Sequence, residues 1–349
     1  MSTYALVAGL PLQIDSYVLE GRSRDVSSSF TRHTTVIRLR GAGEEGEGED
    51  VTYDAPDQLA LQEAGPRQPL PGTHTLESFS LLLGRLELFP VGPQRPASGH
   101  YRRWAYESAA LDLALRQAGR SLSQALGREA RPVTYVVSMR LPEPPTMAPV
   151  RRLLDRYPGM RFKLDPTSAW TEELVDELRA TGAIAAVDLK GLYTGTIVDQ
   201  EPDRALYERV ATGLPDAWIE DPALTPETEL VLEPYRERIT WDAPIHSVED
   251  IEARRWPPRM INVKPSRFGS LRALLDAYDY LDERGIRAYG GGQFELGPSR
   301  GQIQYLASLF HPGEPNDVAP GGFNDLDPPP GLPASPLRPR PSATGFRWG

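Results

Sequence analysis

Five short apolar runs between residues 160 and 265 of this 349-residue chain each end in charged residues. In order, the ends read Arg161-Phe-Lys163-Leu-Asp165, Val187-Asp188-Leu-Lys190, Trp218-Ile-Glu220-Asp221-Pro222, Thr240-Trp-Asp242-Ala-Pro244 and Asn262-Val-Lys264-Pro265. Charges seldom occupy such near-buried positions unless they are paired or bound to an ion. Asp188, Glu220 and Asp242, if they converge, repel one another unless a cation sits between them. Oxygen donors without sulfur or histidine suit a hard ion, Mg2+ first, with Mn2+ as a substitute. A divalent ion facing a substrate carboxylate stabilises the enediolate left when the neighbouring carbon loses its proton. Lys163 and Lys264 flank the acids and are the candidate bases. A lysine near other cations has its neutral form favoured and can accept a proton. Two lysines on opposite sides of one mouth could address both faces of the α-carbon. One would remove the proton; the other would return one or steady charge during an elimination.

Such a series needs a scaffold that brings successive strand ends to one mouth. After Pro132 the chain repeats short apolar runs, most of them followed by amphipathic segments. The runs are Val133 to Met139, Met160 to Leu164, Ile184 to Leu189, Ala217 to Ile219, Ile239 to Trp241, Met260 to Val263 and Ile286 to Tyr289. Trp170 to Thr181 and Ser270 to Arg284 carry helical periodicity. Alternation at this spacing predicts parallel βαβ units, and seven or eight of them predict a closed barrel. An open doubly wound sheet would want a Gly-rich loop after its first strand, and Val136-Val-Ser-Met-Arg-Leu-Pro offers none. Upstream, Leu10 to Leu19 and Thr34 to Leu39 read as strands, and Gly41 to Asp50 as a solvated Gly/Glu turn. Leu76 to Gly127 is helical in pattern, with Trp104, Ser108, Leu111 and Leu115 at helical spacing. The expected fold is α/β: a modified TIM barrel of (β/α)7β type over residues 131–320, behind an α+β capping domain over 1–130. The proline-rich tail, 321–349, is expected as an extended strap that packs back on the cap.

Composition narrows the partners. A net charge of −10 argues against nucleic-acid and membrane-surface binding, both of which need a basic face. With no cysteine there can be no disulfide, thiolate metal site or cysteine nucleophile. His33, His74, His100, His246 and His311 include no i, i+4 pair, which speaks against a histidine metal site. No apolar stretch approaches a membrane span of about 20 residues, and no secretory signal opens the chain, so a cytoplasmic location is expected. The partner expected is a small-molecule carboxylate; self-association is left open.

The strand-end series resembles the enolase superfamily, in particular its muconate-cycloisomerase-like branch, whose sites pair Lys or His bases with Mg2+. Thr35-Val-Ile-Arg-Leu and Gly46-Glu-Gly-Glu-Asp are similar to the family's capping domain, and Tyr106 to Gly127 to the helix leading into the barrel. The resemblance implies Asp188, Glu220 and Asp242 as metal ligands. It implies Lys163 as the base in the second place of a Lys-x-Lys pattern, with Arg161 in the first, and Lys264 as the opposite base. Lys264-Pro-Ser-Arg-Phe-Gly269-Ser-Leu is similar to a turn of o-succinylbenzoate synthases. Gly290-Gly-Gly-Gln-Phe-Glu295-Leu-Gly297 matches the seventh strand end, where an acid often lines the substrate pocket. Arg161, Lys190 and Glu295 are thus candidate substrate contacts. By fold analogy alone, Tyr17, Arg22 and Arg24 are candidates for a lid.

The chain also departs from the pattern. Lys190 stands where the family usually has Asn, and strand alternation points it the same way as Asp188. Asp165 replaces a usual glycine and Ala243 a usual Glu. The reaction implied first is an o-succinylbenzoate-synthase-like dehydration, within a class that includes cycloisomerisation and racemisation. Asp188 to Gly191 and Ala288-Tyr-Gly-Gly-Gly292 resemble methylaspartate ammonia-lyases, the nearest rival. A barrel that binds a carboxylate without catalysis is the alternative from another class, with Lys190 standing in for metal charge. Asp317, after Pro315, reads as a loop cap as readily as a strand-end acid.

Overall fold

The computed structural model describes residues 2–27, 30–193, 199–325 and 328–348. Its amino-terminal part carries β1 (Pro11–Ile14), β2 (Ser16–Ser27), β3 (Phe30–Gly41), β4 (Glu44–Asp50) and β5 (Gly72–Thr75). β2, β3 and β4 form an antiparallel sheet, and β1 pairs with β5. The expected strand Leu10 to Leu19 is therefore two strands in different sheets.

β4 corrects the expectation of a solvated turn. Its Glu-Glu-Gly-Glu-Gly-Glu-Asp sequence alternates with the pleat. Glu45 and Glu47 pair with Arg38 of β3, while Gly46 and Gly48 are buried against the 20-residue helix Ser98–Gln117. A Cβ on Gly46 would fall 2.3 Å from the Ala109 carbonyl, and one on Gly48 2.0 Å from that of Ala105. Here glycine marks a close strand-to-helix approach, which composition alone cannot tell from a loop.

The barrel follows with β6 (Val136–Arg140), β7 (Arg161–Asp165), β8 (Ile184–Asp188), β9 (Trp218–Glu220), β10 (Ile239–Thr240), β11 (Met260–Val263) and β12 (Arg287–Gly290). β6 to β10 are parallel neighbours in sequence order, and β11 pairs in parallel with β12. Asn262 N donates to Trp241 O at 2.9 Å, joining the β10 side to β11. Residues 316 and 317 supply the last stave through parallel bridges from Asn316 to Tyr135 and from Asp317 to Gly291. Several of the helices between the strands start on side-chain caps. Thr171 accepts from Leu174 N before Glu172–Thr181, and Ser270 from Ala273 N before Leu271–Arg284. Both stop at left-handed glycines, Gly182 and Gly285. No described helix is long and apolar enough to cross a membrane.

A buried polar network holds the closing stave. Asn316 Oδ1 accepts from Gly290 N at 2.6 Å and lies 2.6 Å from His311 Nδ1; Asn316 Nδ2 donates to the carbonyls of Thr134, His311 and Glu314. His311 Nε2 is 3.0 Å from the Tyr278 hydroxyl, so a neutral ring with its proton on Nδ1 satisfies both partners. Burial pushes the His311 imidazole down to about 4. An unfolded histidine binds its proton near 6.5, so between these values the unfolded chain holds more protons than the folded one. Stability is therefore expected to fall by roughly 3 kcal/mol as pH drops from about 6.5 to 4. Urea midpoints across that window would show it, and His311→Gln should flatten the slope; an unchanged slope would clear His311 of responsibility.

Cap and barrel are tied at the loop after β12. Arg32 of β3 is fully buried and donates to the carbonyls of Gln293 and Phe294 on the barrel side, and to Val51 and Thr52 on its own. Glu49 of β4 accepts from the backbone N–H groups of Leu296, Gly297 and Ser299, which lead into helix Ser299–Phe310. The tail runs largely without regular structure. Leu337 pairs with Val133, Phe346 N donates to Asp112, and Arg347 pairs with Asp112 and Glu47.

Candidate active site

Asp188 and Glu220 are the last residues of β8 and β9 and stand opposite each other in register. Asp242 lies two residues beyond β10, fixed by Asp221 Oδ1, which accepts from its N–H at 2.8 Å. Asp188, Glu220 and Asp242 are 0%, 0% and 1% exposed, and each offers a carboxylate oxygen within 4.8 Å of the other two. One divalent ion can be reached by all three. Among the described residues this is the one such group of acids and histidines.

Four cations press on the cluster. Lys163, from β7, bonds to Glu220 Oε1 and lies 3.1 Å from Asp188 Oδ2 and 3.6 Å from Asp317 Oδ2. Lys190 bonds to Asp188 Oδ2. Lys264 Nζ is 2.8 Å from Asp242 Oδ2, and Arg267 Nη1 is 2.9 Å from Asp242 Oδ1. Two phenols add to this: half-buried Tyr193 donates to Asp242 Oδ2 at 2.7 Å, and buried Tyr289 to Glu220 Oε2. The two lysines of the series thus contact different acids of the trio, Lys163 Asp188 and Glu220, Lys264 Asp242.

The charges do not balance. Six carboxylates (Asp165, Asp188, Glu220, Asp221, Asp242 and Asp317) outnumber those four directly placed cations. Burial pushes the Glu220 carboxyl well up, and its neighbours Asp188, Asp242 and Asp221 add to this against Lys163. Burial acts the same way on Asp188, but Lys190 and Lys163 outweigh it and hold that carboxyl low. Burial raises Asp221 to about 7, with Asp242 and Asp188 contributing. Hard oxygen donors in excess of their counter-cations, and raising one another's proton affinity, fit a divalent cation.

Burial alone would lower the Lys163 ammonium, but Glu220, Asp188 and Asp317 together push it well above the ordinary lysine value. Its surroundings are carboxylates, so the protein by itself keeps Lys163 protonated.

The other candidates separate. Lys190 is in the cluster. The Glu295 side chain is shielded from solvent in the loop after β12, where it accepts from Gln293 N at 2.5 Å and pairs with Arg300 at 2.9 Å, so its charge is answered inside the protein. Arg161 opens β7, two residues before Lys163, and makes no ion pair with a described residue. Tyr17 is no lid: it is buried, packed edge-on against Tyr106, with its hydroxyl taking the N–H of Gln68. Arg22 pairs with Glu20 along β2, and Arg24 with Asp325. Asp317 belongs to the mouth, beside Lys163, rather than to a loop cap.

Sequence reasoning gave no role to Arg267, Tyr193, Tyr289 or Asp221. Tyr289 had a signal, because it ends an apolar run at a barrel position that must point somewhere. Lys190, Asp221 and Phe294 carry positive φ of 54°, 48° and 60°, in the segments that follow β8, β9 and β12. Such backbone costs about 1–3 kcal/mol per residue and persists where surroundings force it, typically at functional sites.

An antiparallel cap over a parallel barrel, with three buried carboxylates held between lysines at its mouth, makes this chain an enzyme of the enolase superfamily. It is similar to the dipeptide epimerase of Methylococcus capsulatus complexed with Mg ion (TM-score 0.68, 19% identity, covering 97% of this chain and 100% of that one). The muconate lactonizing enzyme of Pseudomonas putida is similar at TM-score 0.64 and 21% identity, over 96% of both chains. In sequence, an o-succinylbenzoate synthase of Geobacillus stearothermophilus is 27% identical over 295 residues, 79% of this chain and 74% of the relative. Family models described as the N-terminal and C-terminal domains of DUF8230, a domain of unknown function, match residues 5–125 and 129–325. The chain belongs to that family.

Proposed function

We propose that this protein removes the proton α to a substrate carboxylate, using Lys163 and Lys264 as its proton-carrying groups and Mg2+, or Mn2+ in its place, at Asp188, Glu220 and Asp242. The observation that carries the reading is the buried carboxylate trio, whose oxygens lie close enough for one ion, with an amine beside it at each end. A divalent cation there supplies positive charge to the substrate carboxylate as negative charge develops on it. Lys163 and Lys264 contact different acids of the cluster, and a substrate held against it meets one amine on each face. Lys163 Nζ takes the proton once deprotonated and holds it near Asp317; Lys264 Nζ returns a proton or steadies the charge of a departing group. Tyr289 and Tyr193 fix the orientation of Glu220 and Asp242. Arg32 and Glu49 keep the loop after β12 packed against the cap, which limits water at the mouth.

The specific reaction favoured is dehydration to an o-succinylbenzoate-type product, supported by the sequence match to a synthase of that name across most of both chains. The test is exchange of the substrate α-proton in deuterated water, followed by NMR over a panel of carboxylates including the synthase substrate. Exchange should require Mg2+ or Mn2+ and stop on chelation. Tight Mn2+ binding with no exchange on any acid would count against catalysis. A second reading, carboxylate binding without chemistry, draws on the Lys190 ammonium bound to Asp188; a protein that takes up the acid but no Mn2+ would favour it.

A further inference from the structure

Lys190 and Asp165, the two charged residues at the mouth that depart from the expected pattern, meet each other. Lys190 Nζ bonds to Asp188 Oδ2 and stands 3.7 Å from Asp165 Oδ1. That Asp165 oxygen is shielded from solvent and accepts no hydrogen bond. The root of the lysine is fixed: its backbone sits at φ 54°, and its N–H donates to Asp188 Oδ1 at 3.1 Å. Only the long side chain is left to move, and the second acceptor lies on the adjacent strand, β7.

We infer that Lys190 is a resident counter-cation of Asp188 that passes to Asp165 when a divalent ion takes Asp188. The inference rests on the divalent-ion reading above. An ion and an ammonium on one carboxylate oxygen repel each other at contact distance. An ammonium displaced inside the protein without a partner is costly. Asp165 removes that cost, because its oxygen, which accepts no hydrogen bond, is already a short swing away. The pair thus keeps Asp188 neutralised before the ion binds and rehouses the lysine afterwards. Lys190 opposes ion binding, and Asp165 relieves that opposition.

A double-mutant cycle read by calorimetric titration of Mn2+ tests this without reference to activity. Lys190→Gln should tighten Mn2+ binding and Asp165→Asn should weaken it, each about tenfold. In the Lys190→Gln background, Asp165→Asn should change affinity by less than about threefold, since no ammonium remains to be rehoused. Thermal melts check folding. The double variant exchanges a charge pair for a neutral pair, and a Mn2+-loaded crystal structure of the native protein gives an independent reading, with Lys190 Nζ in contact with Asp165 and off Asp188. Equal losses from Asp165→Asn in both backgrounds would overturn the transfer, as would Lys190 remaining on Asp188 in the loaded crystal, while leaving the metal reading intact. A native protein that takes up no Mn2+ overturns both.

Discussion

Lys163→Ala is expected to cut α-proton exchange by about 10²–10⁴-fold, the usual loss when a positioned base is removed. Lys163 is also a counter-cation of the carboxylate cluster, touching Glu220 and lying 3.1 Å from Asp188. Its removal leaves those acids shorter of positive charge, so Mn2+ binding should hold or tighten while exchange collapses. That combination separates loss of the base from loss of the ion site. Lys264→Ala should also impair turnover. In a racemising reaction, exchange from one enantiomer would survive in each single variant, because each remaining lysine faces one side of the α-carbon. Full exchange in Lys163→Ala would remove this residue from the chemistry. The ammonium is held high by Glu220, Asp188 and Asp317, so exchange should rise with pH and be weakest in acid, where Lys163 keeps its proton.

Arg102→Met is expected to destabilise the folded protein by about 3–5 kcal/mol, the cost of breaking a buried ion pair from one side. Arg102 Nε is 2.7 Å from Asp50 Oδ2 with both side chains fully buried, and the guanidinium also donates to the carbonyls of Leu88 and Asp57 and stacks on Phe89. One side chain thus ties β4 to the long helix Ser98–Gln117 and to helix Ala55–Ala64. Methionine keeps part of the apolar volume but leaves the Asp50 carboxylate buried with, among the described residues, Thr52 as its donor. Urea unfolding of the two proteins measures the difference, and adding Asp50→Asn to the variant should recover part of the loss. A change below about 1 kcal/mol would show that the interior there is more solvated than the packing indicates. Glu49, which anchors the barrel loop after β12, is the neighbour of Asp50, so the variant should also loosen the mouth.

Much of the barrel was legible because its signal is local. The apolar run Met260 to Val263 is β11 without change, and Thr171, Gly182, Ser270 and Gly285 mark helix ends by chemistry each residue carries alone. The glycines of β4 misled because their partner, helix Ser98–Gln117, is about 60 residues away; only packing distinguishes a glycine needed for close approach from one needed for a turn.

By itself, the order of residue types determined which acids and amines share a mouth. Parallel strands in sequence order must deliver their ends to one side, so Lys163, Asp188, Glu220, Asp242 and Lys264 converge once a barrel is granted. Tertiary structure alone decided their electrostatic state. Whether a buried lysine is neutral or charged depends on the sum over every neighbour within a few ångströms. Asp317, Arg267 and Tyr289 come to the cluster from segments whose sequence spacing says nothing about distance. The pairing of Lys190 with Asp165 is of the same kind: it joins the ends of two strands, and neither residue predicts it alone.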